Sequence, residues 1–114
     1  MRIQLKVIQF LDESGNLMRA AKVELTDEQL IRLYKKMLLA RLYDERAIRL
    51  QRQGRIGTYP SFGGHEAAQV GSVFALKQGD WLFPYGRDLA ACLAFGMDIK
   101  HALLYAMGHK EGVL

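Results

Sequence analysis

The sequence predicts a helix-rich α/β unit with an N-terminal hairpin or extended arm. A long helical periodicity starts at Thr26 and runs unbroken by proline or glycine as far as Gly54. Glycines and prolines divide the rest of the chain into short helical stretches. Residues 1–10 alternate apolar and polar in the manner of a strand. At 114 residues the chain is one domain or part of one. Residues 1–25 read as the arm and residues 26–114 as the folded part.

In the arm, Asp12 to Asn16 is turn chemistry, with Gly15 supplying a positive φ, and Leu17 to Val23 can return as a second strand. Thr26 with Gln29 three residues on forms a capping box, and Asp27 and Glu28 complement the helix dipole. Leu30, Tyr34, Met37, Leu38, Leu42 and Ile48 recur at helical spacings, and Arg49 and Arg52 precede the stop at Gly54. The spacing predicts one helix from about Thr26 to Arg52, roughly 39 Å at 1.5 Å per residue. Its apolar residues spread over more than one face, so it should pack on two sides. Ile56 to Gly64 is an aromatic-bearing loop. His65 to Leu76 reads as a small-residue helix and is expected to be tightly buried. Trp81 to Phe83 reads as a short strand ended by Pro84. Arg87 to Phe95 is a third helix stopped by Gly96. Asp98 caps a fourth, which runs through Met107.

Composition narrows the class. The longest uncharged stretches, such as Ala67 to Leu76, are far short of the ~20 apolar residues a membrane span needs. Arg2 and Lys6 follow Met1 without a long apolar run, so no secretory signal is expected. Cys92 is the single cysteine, which excludes an internal disulfide and favours a reducing, cytoplasmic setting. The net charge is +4, yet Arg32 to Arg55 alone carries eight basic residues against Asp44 and Glu45. A basic helix can serve nucleic acid, an acidic partner or a phosphate ligand, or can be a solvated face. The basic positions do not form one stripe, which argues against nucleic acid.

Three stretches can carry chemistry. In Arg41-Leu-Tyr-Asp44-Glu-Arg46, continuing to Arg52-Gln53-Gly54, Arg41 and Asp44 are helical neighbours able to pair. In Tyr59-Pro-Ser-Phe-Gly-Gly64-His65-Glu66, the glycine pair before a helix can leave N–H groups free for an anion, and the aromatics can wall a ring. A plain helix start fits this stretch equally well. In Asp80-Trp-Leu-Phe-Pro-Tyr85-Gly86-Arg87-Asp88, an arginine opens a helix, an arrangement for phosphate. Local pairing of Arg87 with Asp88 is the alternative. Burial by Trp81, Phe83 and Tyr85 would strengthen an anion contact there.

Taken together and in this order, these stretches resemble the N-terminal part of the α subunit of the thiamin-diphosphate-dependent 2-oxo acid dehydrogenase E1 component, in particular its pyruvate branch. The residues that carry the resemblance are Arg41, Asp44, Arg46, Leu50, Arg52-Gln53-Gly54, Gly64-His65-Glu66-Ala67, Asp80, Pro84 and Arg87-Asp88. Ile8 to Leu17 is similar to the extended leader of bacterial members.

The resemblance implies the helix-rich opening of the α/β thiamin-diphosphate-binding fold. It implies an oxidoreductase acting on a 2-oxo acid, with thiamin diphosphate and Mg2+ as cofactors. The implied partners are an E1 β subunit, in an α2β2 heterotetramer, and the lipoyl-bearing E2 acyltransferase. Arg87 matches the arginine that binds the cofactor diphosphate, and Tyr59 matches an aromatic that lies against the cofactor. The family has tyrosine immediately before the arginine. Here that position is Gly86, with Tyr85 one residue earlier, and both are carried as cofactor-binding candidates. No catalytic residue is assigned, because the glutamate that activates the cofactor belongs to the β subunit. The family's Mg2+ motif, G-D-G with a later asparagine, has no match in this segment, so the chain is expected to be the N-terminal piece of such a subunit. The branched-chain and acetoin enzymes, and a non-catalytic interaction module made from a truncated E1 α chain, share the same motifs.

Overall fold

Thr26 starts the longest element in the way its sequence dictates. In the computed structural model, which describes residues 9–18, 22 and 24–113, Thr26 Oγ1 accepts from the Gln29 amide at 3.2 Å and the Gln29 side chain accepts from the Thr26 amide at 2.9 Å. Helix α1 (Asp27–Arg52) follows without a break for 26 residues. Gly54, at φ +70°, turns the chain away beyond its last turn. Start, stop and continuity all match the expectation.

Helices α2 (Glu66–Phe74) and α3 (Leu89–Phe95) pack on α1 and on each other, α4 (Ile99–Ala106) meets the loop after α1, where the Gly57 amide donates to the Ala106 carbonyl, and a 3₁₀ turn at Lys110–Gly112 closes against α4. Ala40, Tyr43, Asp44 and Ala47 form the buried stripe of α1. They meet Ile56 and Phe62 from the loop, Ala90 and Leu93 from α3, and Ala102 from α4. Small side chains at the crossing points let the helices approach closely, and Phe62 is the largest fully buried residue. Two basic residues of α1 are used in packing. Lys36 Nζ donates to the Ala94 carbonyl in the last turn of α3 at 2.6 Å, and Arg32 lies over the Phe74 ring at 5.3 Å. Leu30, Ile31, Tyr34, Leu38, Leu39 and Leu42 remain exposed, so the apolar residues of α1 do lie on more than one face.

Four expectations change. The small-residue helix is not buried all round: Glu66, Gln69, Val70 and Val73 are covered, while Ala67, Ala68, Gly71 and Ser72 face solvent. Trp81 to Phe83 is unpaired chain rather than a strand, because no neighbouring extended segment among the described residues offers it a ladder. Trp81, Phe83 and Tyr85 are 80%, 84% and 88% exposed, so they do not bury the Arg87 region here. Helix α3 begins at Leu89 rather than Arg87, because Gly86, at φ +44°, turns the chain and Asp88 closes that turn.

The arm shows one antiparallel bridge, Leu11 to Leu17, around a turn in which Asp12 accepts from the Ser14 and Asn16 amides. The strand expected over residues 1–10 and most of its return fall outside the described residues. Among the described residues no helix is long and apolar enough to cross a membrane.

Two glycine substitutions should separate cleanly. A Cβ at Gly112 would collide with the backbone of Leu104 and Tyr105, whereas at Gly71, inside α2, it would meet nothing within 4 Å. Gly112→Ala should lower the thermal midpoint, and Gly71→Ala should raise it by the equivalent of about 0.5–1 kcal/mol. Thermal unfolding of the two variants checks both signs.

Candidate cofactor site around Tyr59 and Arg87

The loop between α1 and α2 is folded around one carboxylate. Asp44 is 2% exposed. Its Oδ1 accepts from the Tyr59 hydroxyl at 2.8 Å and from the Phe62 amide at 3.0 Å, and its Oδ2 accepts from the Ser61 hydroxyl at 2.7 Å. A buried carboxylate without a cation must be hydrogen-bonded, and these donors provide for it. Asp44 does not pair with Arg41 as the helical spacing allowed. Arg41 Nε instead reaches across to Glu66 Oε1 at 2.6 Å, and Glu66 Oε2 accepts from the Gly64 amide at 3.0 Å. The Arg41 hydrogen bond is the main cause that holds the Glu66 carboxyl down to about 2.

The loop amides are therefore occupied. Gly64 N–H is given to Glu66, Gly63 N–H to Ser61 Oγ, and His65 N–H to the Phe62 carbonyl. The glycine pair does not present free N–H groups to an anion, which removes that part of the expectation. Its physical reason is that the nearby Glu66 carboxylate and Ser61 hydroxyl take these amides first.

Arg87 stands beside this loop. Its Nη1 donates to the Ser61 carbonyl at 2.7 Å. Among the described residues no carboxylate pairs with it, and Asp88 instead accepts from the Tyr85 amide at 3.0 Å. A guanidinium carries five N–H donors, so most of them stay available. The alternative of a local Arg87–Asp88 pair does not form. Gln69 of α2 bridges to the same turn: its Nε2 donates to the Arg87 carbonyl at 2.9 Å and its Oε1 accepts from the Ala91 amide at 3.1 Å.

Tyr59 is half-buried, with its ring 6.4 Å from that of Tyr43. Burial first, and then the bond to Asp44, hold its hydroxyl protonated far above the usual phenol range. Tyr59 and Gly86 line one cleft of about 140 Å³ with Tyr43, Leu89 and Tyr105. Tyr85 and Gly86 line a neighbouring cleft of about 280 Å³, which shares Leu89 and Tyr105. Three of the four candidate positions, Tyr59, Tyr85 and Gly86, thus line clefts that meet at Gly86; Arg87 follows Gly86 in the chain but lines neither cleft, its side chain lying instead on the Ser61 carbonyl. Sequence reasoning missed Ser61 and Gln69, and it gave Asp44 the wrong partner. A buried aspartate with a hydroxyl-rich loop downstream was the available signal. Among the described residues no group of three or more His, Cys, Asp or Glu side chains is arranged to hold a metal ion.

The aromatic loop, the helices under it and Arg87 form one candidate site, and sequence comparison gives the family of the chain that carries it. The dehydrogenase E1 component family matches residues 34–114, and the chain belongs to that family. It is 40% identical over 108 residues to the pyruvate dehydrogenase E1 component subunit alpha of Staphylococcus aureus (strain Mu50 / ATCC 700699). The identity is the same to the protein of that name in Staphylococcus epidermidis (strain ATCC 12228 / FDA PCI 1200). Each match covers 94% of this chain and 29% of the relative, so the chain spans less than a third of the length of these curated relatives.

Two stability predictions follow from the carboxylates. Asp44→Ala leaves three buried donors without an acceptor and should cost roughly 3–5 kcal/mol in chemical denaturation. Asp44→Asn keeps one acceptor oxygen and should cost less than half of that. Glu66 is held below its ordinary value of 4.5, so its pairing stabilises the fold above pH 4.5 and that stabilisation is lost as pH falls toward 2. Glu66→Gln should flatten the stability profile over this window, which unfolding at a series of pH values measures.

Proposed function

We propose that this chain is the N-terminal piece of the E1 α subunit of a 2-oxo acid dehydrogenase, with pyruvate as the substrate, and that it supplies one wall of a thiamin diphosphate site. The observation that carries this reading is Arg87, which no carboxylate pairs among the described residues, standing next in the chain to Gly86, where the clefts of Tyr59 and Tyr85 meet, in a chain 40% identical over 94% of its length to pyruvate dehydrogenase E1 α subunits. The two clefts are below the ~300–1,000 Å³ of a whole ligand pocket. They suit part of a ligand that has a ring against apolar walls and an anionic group at the guanidinium. In kind, these residues fit thiamin diphosphate.

Arg87 would hold the diphosphate with the donors left over from Ser61, in the forked geometry that suits phosphate oxygens. Tyr59, kept neutral and tied to Asp44, would give the ring a fixed flat wall and exclude water from it. Gly86 leaves room for close approach, and Tyr85 would close the outer side. When bound, thiamin diphosphate supplies the carbanion-stabilising chemistry that removes carbon dioxide from a 2-oxo acid. The acid or base at the reacting carbon is assigned to an E1 β partner in an α2β2 assembly. Mg2+ would accompany the diphosphate, and none of the described residues is assigned to it. The lipoyl-bearing E2 acyltransferase would take the acyl group, in the cytoplasm. Within this reading residues 26–114 open the α/β thiamin-diphosphate-binding domain and residues 1–25 are its arm.

In the assembled enzyme, Arg87→Ala should weaken thiamin diphosphate binding by about 1.5–3 kcal/mol, the range for a hydrogen bond to a charged group. It should leave 2-oxo acid affinity nearly unchanged at saturating cofactor. Calorimetric titration tests this, and equal dissociation constants for variant and wild type would remove Arg87 from the site.

A further inference from the structure

We infer that Gln69 is the positioning residue for Arg87, a role that rests on the reading of Arg87 as the diphosphate ligand. Gln69 lies in the buried stripe of α2, is 9% exposed, and does not contact the Tyr59–Gly86 cleft. Both ends of its amide are used, one on the turn that carries Arg87 and one on the first turn of α3. Nε2 donates to the Arg87 carbonyl at 2.9 Å, and Oε1 accepts from the Ala91 amide at 3.1 Å.

The acceptor end does the work of a helix cap. Asp88 precedes α3 but makes no side-chain cap bond to it, because its carboxylate is turned back to the Tyr85 amide. Gln69 supplies the missing acceptor from a different helix. The donor end fixes the peptide that follows Arg87. The guanidinium is held separately, by the Ser61 carbonyl, and Ser61 is itself bonded to Asp44. Main chain and side chain of Arg87 are thus anchored from opposite sides, one through α2 and one through α1. Ordering a long side chain before the ligand arrives removes that cost from the binding step.

Only a side chain with a donor and an acceptor on one planar group serves both ends. Methionine matches the shape and has neither strong group; glutamate keeps the acceptor for Ala91 and, when ionised, lacks the donor for Arg87. A double-mutant cycle in the assembled enzyme separates positioning from simple support of the fold. The probes are thiamin diphosphate with Mg2+, and inorganic pyrophosphate, with thermal unfolding of each variant alongside. Gln69→Met should lower stability equally with Arg87 or Ala at position 87. It should weaken both probes about tenfold when Arg87 is present, and change them by no more than about twofold in Arg87→Ala. If Gln69→Met does not assemble, the uncharged Gln69→Leu, which also lacks both groups, is carried through the same cycle with the same expectation. An equal loss in both backgrounds, or no loss with Arg87 present, overturns the inference. Unaffected Gln69→Met beside a weakened Arg87→Ala removes only the role of Gln69, whereas an Arg87→Ala that binds like wild type removes the diphosphate reading itself.

Discussion

The Asp44 carboxylate is the constraint on which the rest of the site depends. It is buried at the centre of α1's packed stripe, and the loop returns to it with the Tyr59 and Ser61 hydroxyls and the Phe62 amide. These bonds set three things at once. They lock Phe62 into the core, they fix the Tyr59 ring against its cleft, and they orient the Ser61 carbonyl that receives Arg87. Burying a charge in this way is costly unless its donors are all in place, so the loop has few alternative conformations. The shape of the candidate site is thus a consequence of satisfying one anion.

The charge distribution has the same logic. A helix segment rich in lysine and arginine looks like a surface for an acidic partner, yet several of its cations are committed within the fold. Lys36 caps α3, Arg32 covers Phe74, Arg41 pairs with Glu66, and Arg49 pairs with Glu45 along the helix. Arg87, like Lys36, donates to a neutral carbonyl, and no carboxylate pairs with it among the described residues. Its forked donors, ordered on the Ser61 carbonyl one residue beyond Gly86, are the feature on which the proposal of an anionic ligand rests.

Much of this was legible in the sequence. The capping box at Thr26, the unbroken periodicity to Arg52 and the glycine stop are local signals, and α1 obeys them. Asp98, whose side chain accepts from the His101 amide, likewise marks the start of α4. The partners of Arg41 and Asp44 were not legible, because the contacts that decide them span 15 to 25 residues and a nearer helical partner was available. The glycine pair misled for a related reason: a glutamate two residues on takes the amide that an anion could have used. The strand expected at Trp81 to Phe83 rested on composition alone, and a strand also needs a neighbour. The positions of Tyr59, Tyr85 and Gly86 came from the family resemblance, whereas Arg87 was singled out first by its place at a turn before a helix and then by the resemblance. Gln69 was invisible because a glutamine on a helix of small residues gives no signal until α3 is placed beside it.

Amide hydrogen exchange at Phe62 tests the central place of Asp44 most directly. Its N–H is buried and bonds to Oδ1 of that carboxylate, on a loop that has no helical ladder of its own. The Phe62 amide should be strongly protected in the wild-type chain. It should exchange at least about tenfold faster in Asp44→Ala, while the amides of the middle of α1 keep their protection, as expected when one local unit opens independently. Unchanged protection of Phe62 in the variant would show that core packing alone holds the loop, and would contradict the account.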